Sequence, residues 1–149
     1  MFSMIMLAVV SFLMSMNTSN LKTTADREAG ENAKNALEQI TREIKSAESI
    51  YTPTTTTNQL SLETSRYLPA GETDTFIDFF LCGTAVCFKK ELQSPVVLTS
   101  DSVRVTNLTF LQISTGAIPS VQVSITANSG SGNTYSSTNL TSTASLRSY

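Results

Sequence analysis

The residues of this chain best placed for covalent chemistry are its two cysteines. Cys82 and Cys87 stand at the ends of Gly83-Thr84-Ala85-Val86, between a run ending IDFFLC and one beginning CFKKE. If these runs form a hairpin, pairing residue 83 with 86 sets 82 opposite 87. Directly opposed residues have the Cβ separation that a disulfide needs. A structural disulfide in an oxidising compartment is the leading expectation, set against two free buried thiols or a redox or metal role. The spacing is not the CxxC of redox motifs, and a metal would lack further soft ligands.

Carboxylates are the other candidates. Glu72, Asp74 and Asp78 raise the idea of a calcium loop or a glycosidase pair, both of which need carboxylates held together. Their spacing is not DxDxDG, and Asp74 and Asp78 lie beside or within an expected strand, so surface acids are the simpler reading. No metal, cofactor or catalytic residue is expected. The chain has no His, which removes Ser-His and Cys-His nucleophile pairs, His zinc sites and His general bases together. Asn17-Thr18-Ser19, Asn107-Leu108-Thr109 and Asn139-Leu140-Thr141 match the glycosylation acceptor pattern, which arises readily by chance in a sequence rich in Asn, Ser and Thr. A net charge of -2 gives no basic stripe for nucleic acid, so direct nucleic-acid binding is not expected.

The elements that position these residues fall into three parts, at 1–20, 21–52 and 53–149. With 149 residues the chain holds one ordinary domain and one appendage. Charged residues make up 15 %, against roughly 25 % in average soluble domains, a composition that suits an exported β protein. Residues 1–16, MFSMIMLAVVSFLMSM, carry no charge and all five methionines. Three readings compete: a membrane helix truncated at its front, a signal peptide, and a buried core helix. The first is preferred, because a signal peptide needs a basic start and a small-residue exit. As a helix the run spans about 24 Å, short of the roughly 20 residues that cross a bilayer core.

From residue 21 to about 51 the apolar residues Leu21, Ala25, Ala29, Ala33, Ala36, Leu37, Ile40, Ile44, Ala47 and Tyr51 recur at steps of mostly three and four. That period predicts a helix with one buried stripe. Lys22, Glu31, Lys34, Glu38, Arg42, Glu43 and Lys45 form the expected solvated face, with Glu38 and Arg42 as an i,i+4 pair. Nothing between residues 17 and 21 forces a break, and Thr52-Pro53 stops the helix near Tyr51. One helix of about 50 residues is therefore expected, weakened slightly at Gly30. A β domain of this size cannot cover it, so the free part must meet lipid or other chains.

Beyond Pro53 the period becomes two. Strands are expected at 59–63, 75–82, 86–92, 96–105 with a turn at Ser100-Asp101, 107–114, 120–127 and 135–147. The Thr54 to Thr57 run, Pro69-Ala70-Gly71 and NSGSGN at 128–133 read as loops. Short links favour an antiparallel meander, across which the stripe Ala33, Leu37, Ile40, Ile44 and Ala47 would pack. The fold class expected is α+β.

Taken in order, MFSMIMLAVVSFLMSMNTSNL, AKNALEQITREIKSAESIY, and LTSDSVRVTNLTFLQIS with VQVSITA and ASLRS resemble a minor pilin or pseudopilin of the type IV filament superfamily. The middle stretch is similar to the family's "L-x-x-I-x-x-E-I-x-x-A" docking pattern. The resemblance implies a pilin-like subunit of a type IV pilus, type II secretion or DNA-uptake filament. Its helix, including Phe2, Ile5, Leu7, Val9, Val10, Phe12 and Leu13, would sit in the inner membrane and then in the filament core. The head would be extracytoplasmic, and the disulfide compartment agrees. Implied partners are other subunits, an inner-membrane assembly platform and membrane lipid. The family's basic leader and Gly-Phe-Thr-Leu-Ile-Glu motif are not among these 149 residues. An upstream start, with processing by prepilin peptidase, is the corresponding expectation. A membrane-anchored adhesin or ligand-binding module acting as a monomer is the rival reading.

Overall fold

The computed structural model describes residues 2–66, 68, 70–114 and 118–147, with the backbone alone for residues 2–4. A single helix, α1 (Phe2–Ser46), precedes β1 (Ser49–Ile50), β2 (Gln59–Thr64), β3 (Thr75–Cys82), β4 (Ala85–Lys90), β5 (Val96–Val97), β6 (Val103–Ile113), β7 (Ser120–Ser129) and β8 (Ser136–Ser145). The fold is α+β, a long N-terminal helix, apolar and then amphipathic, packed on antiparallel sheets.

Helix α1 has 45 residues, about 67 Å at 1.5 Å per residue, and runs without interruption through Asn17-Thr18-Ser19-Asn20 and Gly30. Thr18, Thr23 and Thr24 donate their hydroxyls to the carbonyls of Met14, Ser19 and Asn20, each at 3.0 Å. This back-bonding satisfies the hydroxyls inside the helix. The C-terminus comes earlier than Thr52-Pro53 suggested. Glu48 N–H donates to Glu63 O at 2.9 Å and Tyr51 N–H to Ser61 O at 2.9 Å. Pairing with β2 therefore removes Ser49 and Ile50 from the helix, and Tyr51 packs its ring on Phe76 at 4.7 Å instead of joining the stripe.

The strands form two sheets where a single meander was expected. β1-β2-β3-β4-β5 make one and β6-β7-β8 the other. The expected strand at 96–105 is divided. Val96 and Val97 pair with Phe88 and Cys87, and the chain then turns at Ser100 to Ser102 toward the second sheet. The expected strands 103–105 and 107–114 are one strand, β6, with a bulge between Val105 and Asn107. Thr106 and Asn107 are both exposed while Val105 and Leu108 are both buried. A bulge slips the two-residue period by one, which reads in sequence as a break.

One core joins the helix and both sheets. Val121, Val123, Ile125 and Ala127 of β7 point to α1, and their neighbours Gln122, Ser124, Thr126 and Asn128 to the other face. Ala33, Leu37, Ile40, Ile44 and Ala47 are all buried in that core, and the buried stripe extends back to Ala25 and Ala29. Leu21 stays exposed. Leu60, Leu62, Ile77, Phe79, Val86 and Phe88 supply the face of the five-stranded sheet.

Candidate functional site

Among the described residues, the longest stretch with no buried residue is the first half of α1. None of the residues 5–24 is buried. Ile5, Met6, Leu7, Val9, Val10, Phe12, Leu13, Met14 and Met16 are 47 % to 71 % exposed. Phe2 was expected among them, and its side chain lies outside the described residues. Ile5, Ala8, Val9, Phe12 and Leu13 line one shallow groove on the helix surface. Their i, i+3, i+4, i+7, i+8 spacing is the stripe that another helix can cover. No helix of the described residues is long and apolar enough to cross a membrane.

Where the helix meets the head, polar contacts form a collar. Ser136 Oγ donates to Asp26 Oδ1, Ser129 Oγ donates to Glu28 Oε2 at 3.3 Å, and Asn32 Oδ1 accepts from Ser100 N–H at 2.8 Å. Gly130 allows the closest approach. Its φ is +75°, and a Cβ there would press on the Thr134 carbonyl and lie 3.2 Å from Ala25 Cβ. The collar therefore fixes where the free segment leaves the head. Sequence reasoning missed Asp26, Glu28 and Gly130, because their partners lie about 100 residues away. A positive-φ Gly in NSGSGN was the one local signal.

Two assignments on the solvated face change. Glu38 pairs with Lys34 at 3.8 Å, and Arg27 with Glu31 at 2.6 Å, so the Glu38–Arg42 pair is not formed. The hydrogen bond and charge of Glu31 raise the Arg27 guanidinium above its ordinary value. Glu43 is buried, only 7 % exposed, with Arg66 Nη1 at 3.8 Å. It lies next to Ile44 on the rim of the stripe, where the chain following β2 covers it.

Cys82 and Cys87 are joined in a disulfide with Cα atoms 5.8 Å apart. The register differs from the expected one. Cys82 faces Ala85 and Cys87 faces Phe80, so the pair is diagonal on one face instead of directly opposed. Gly83, with φ +71°, is the first central residue of a two-residue turn. A Gly-first turn of type II′ matches the strand twist and sets that register. Because Gly was available at that position, this register was readable in sequence.

The carboxylates do not converge. Asp78 accepts from Ser61 Oγ at 2.5 Å across the β2–β3 pair, Asp74 accepts from Thr73 at 2.9 Å, and Glu72 is exposed. Among the described residues no group of three or more His, Cys, Asp or Glu could hold a metal. Asn17, Asn107 and Asn139 are all exposed, and Asn139 donates to Thr126 at 3.2 Å. Comparison with protein-family models, with curated proteins and with solved structures finds no match to this chain.

Proposed function

We propose that this chain is a structural subunit of a filament of the type IV pilin or pseudopilin kind, a minor component that assembles through the first half of α1. The observation that carries this reading is the division of the helix at Ala25. The buried stripe of α1 begins at Ala25, while nine large apolar side chains between Ile5 and Met16 are exposed. Burying one such side chain fully is worth about 1.5–3 kcal/mol. Packing the segment among neighbouring helices would therefore yield on the order of 10 kcal/mol before the cost of association.

On this reading the segment is held in the inner membrane before assembly, the head lies outside the cytoplasm, and the disulfide belongs to that oxidising side. Other subunits and an inner-membrane assembly platform are the partners. The test is crosslinking in the native cells through Val9→Cys. A reductant-sensitive ladder of multimers is the expected result. A product confined to the monomer would replace the filament reading with that of a membrane-anchored adhesin.

A further inference from the structure

A free sheet edge is a template for another strand, so proteins shorten, bend or charge their edges. Among the described residues this head has four edges, and three are protected. β1 and β5 have two residues each, and β6 carries Arg104 and the bulge between Val105 and Asn107. β8 is the fourth. It has ten residues, SSTNLTSTAS, with no charge and no proline. Its ladder to β7 is unbroken from Ser120↔Ser145 to Ser129↔Ser136.

The direction of its backbone groups follows from the next pair along. Leu146 N–H donates to Pro119 O at 3.0 Å, and hydrogen-bonded pairs alternate in an antiparallel ladder. Residues 144, 142, 140 and 138 therefore turn their N–H and C=O toward β7. Thr143, Thr141, Asn139 and Ser137 turn theirs to the open side.

Beside this edge the helix leaves a gap. The β7 residues facing α1 are all buried, whereas of their β8 partners Thr138, Leu140 and Ser142 are half-buried and only Ala144 is buried. A groove of about 550 Å³ runs between the Lys34 to Lys45 face of α1 and Thr141 and Ser142. Its charge is positive. Lys34 is paired with Glu38, while Arg42 and Lys45 are exposed and make no ion pair among the described residues.

We infer that the β8 edge is a strand-addition site for an extended segment of a partner protein bearing carboxylates on alternate residues. The partner backbone extends the β6-β7-β8 sheet, and its carboxylates face Arg42 and Lys45. A second copy of β8 fits less well, because a two-fold pairing would bring two sets of Arg42 and Lys45 together. This inference stands independently of the filament reading.

The test uses the full chain in nonionic detergent micelles with two labelled decapeptides, one alternating Thr and Glu and one alternating Thr and Lys. The Glu peptide is expected to bind about tenfold or more tightly than the Lys peptide. It should also slow amide exchange at Thr141 and Thr143. Thr143→Pro removes one outward N–H and leaves the β7 ladder intact, so it should abolish binding at an unchanged thermal midpoint. Arg42→Glu with Lys45→Glu should reverse the peptide preference, and this variant decides the matter if Thr143→Pro does not fold. Equal binding of the two peptides would overturn the inference. So would unchanged exchange at saturating peptide, or self-association that protects the same amides.

Discussion

Arg66, just beyond the end of β2, reaches Glu43, with its Nη1 3.8 Å from Glu43 Oε2 and 3.0 Å from Ser46 Oγ. The pair ties the last turn of α1 to the chain between β2 and β3, next to the point where Ser49 and Ile50 join the sheet. Glu43 Oε2 is buried without a hydrogen bond, so the guanidinium is its charge partner. Arg66→Ala would leave that carboxylate buried beside nothing positive. A loss of about 1–2 kcal/mol is expected, below the value for a fully buried pair because Arg66 is half exposed. Glu43→Gln should lose less, since no charge then needs compensation. Denaturant midpoints of the two variants check the order.

The Cys82–Cys87 disulfide closes a short loop, with a sequence separation of 5. Constraint of so small a loop is worth only about 2 kcal/mol by the chain-entropy argument. Replacing both cysteines by Ser should lower the thermal midpoint modestly and leave the β3–β4 hairpin in register, because Gly83 and the Phe79–Phe88 pair, 5.1 Å between rings, still specify it. Reductant should lower the midpoint of the unaltered protein and leave that of the double variant unmoved.

Gly130 joins backbone conformation to packing at the collar. Ala at this position would be held at φ +75° with its Cβ against the Thr134 carbonyl and Ala25. The expected cost is about 1–3 kcal/mol. Hydrogen exchange should show the loss first in helix residues 25–32 and in the β7–β8 turn. Gly71→Ala, at φ +93° with nothing within 4 Å of the added Cβ, gives the strain without the clash and should leave the collar amides protected.

What could be read from sequence follows the range of the interactions. The stripe Ala33, Leu37, Ile40, Ile44 and Ala47 was legible because a helix imposes its period locally. β3 was legible to its ends because Thr75, Ile77 and Phe79 alternate with Phe76, Asp78 and Phe80. Glu43 was not, since a carboxylate on the edge of a stripe looks solvated until a distant loop covers it. The full length of β6 was hidden by the bulge at Thr106 and Asn107, whose phase slip looks the same as a turn, and the crossing between sheets at Ser100 to Ser102 reads locally like any hairpin turn. The helix end was misplaced because Pro53 sets only an outer limit, and pairing of Ser49 and Ile50 with β2 stops the helix sooner. The candidate site is a mixed case. The apolar run before Met16 was plain, whereas the collar that frees it depends on Asp26, Glu28 and Gly130 meeting residues far along the chain.

The division of α1 at Ala25 makes opposite demands on two residues of one helix. Phe12 is 64 % exposed and contributes nothing to the core. Phe12→Asp should therefore leave the denaturant midpoint of the head within about 0.5 kcal/mol, yet remove apolar area needed for helix burial and place a charge among neighbouring helices. Ile40 is fully buried in the core, and Ile40→Ala should cost about 2–5 kcal/mol of head stability. At a temperature where that variant is still folded, its Val9→Cys crosslinking ladder should persist, because the free segment is unchanged. The measurement combines a denaturation midpoint and a ladder for each variant. Loss of the ladder in Phe12→Asp alone is the expected pattern. A ladder that survives Phe12→Asp would mean that the exposed segment does not carry assembly.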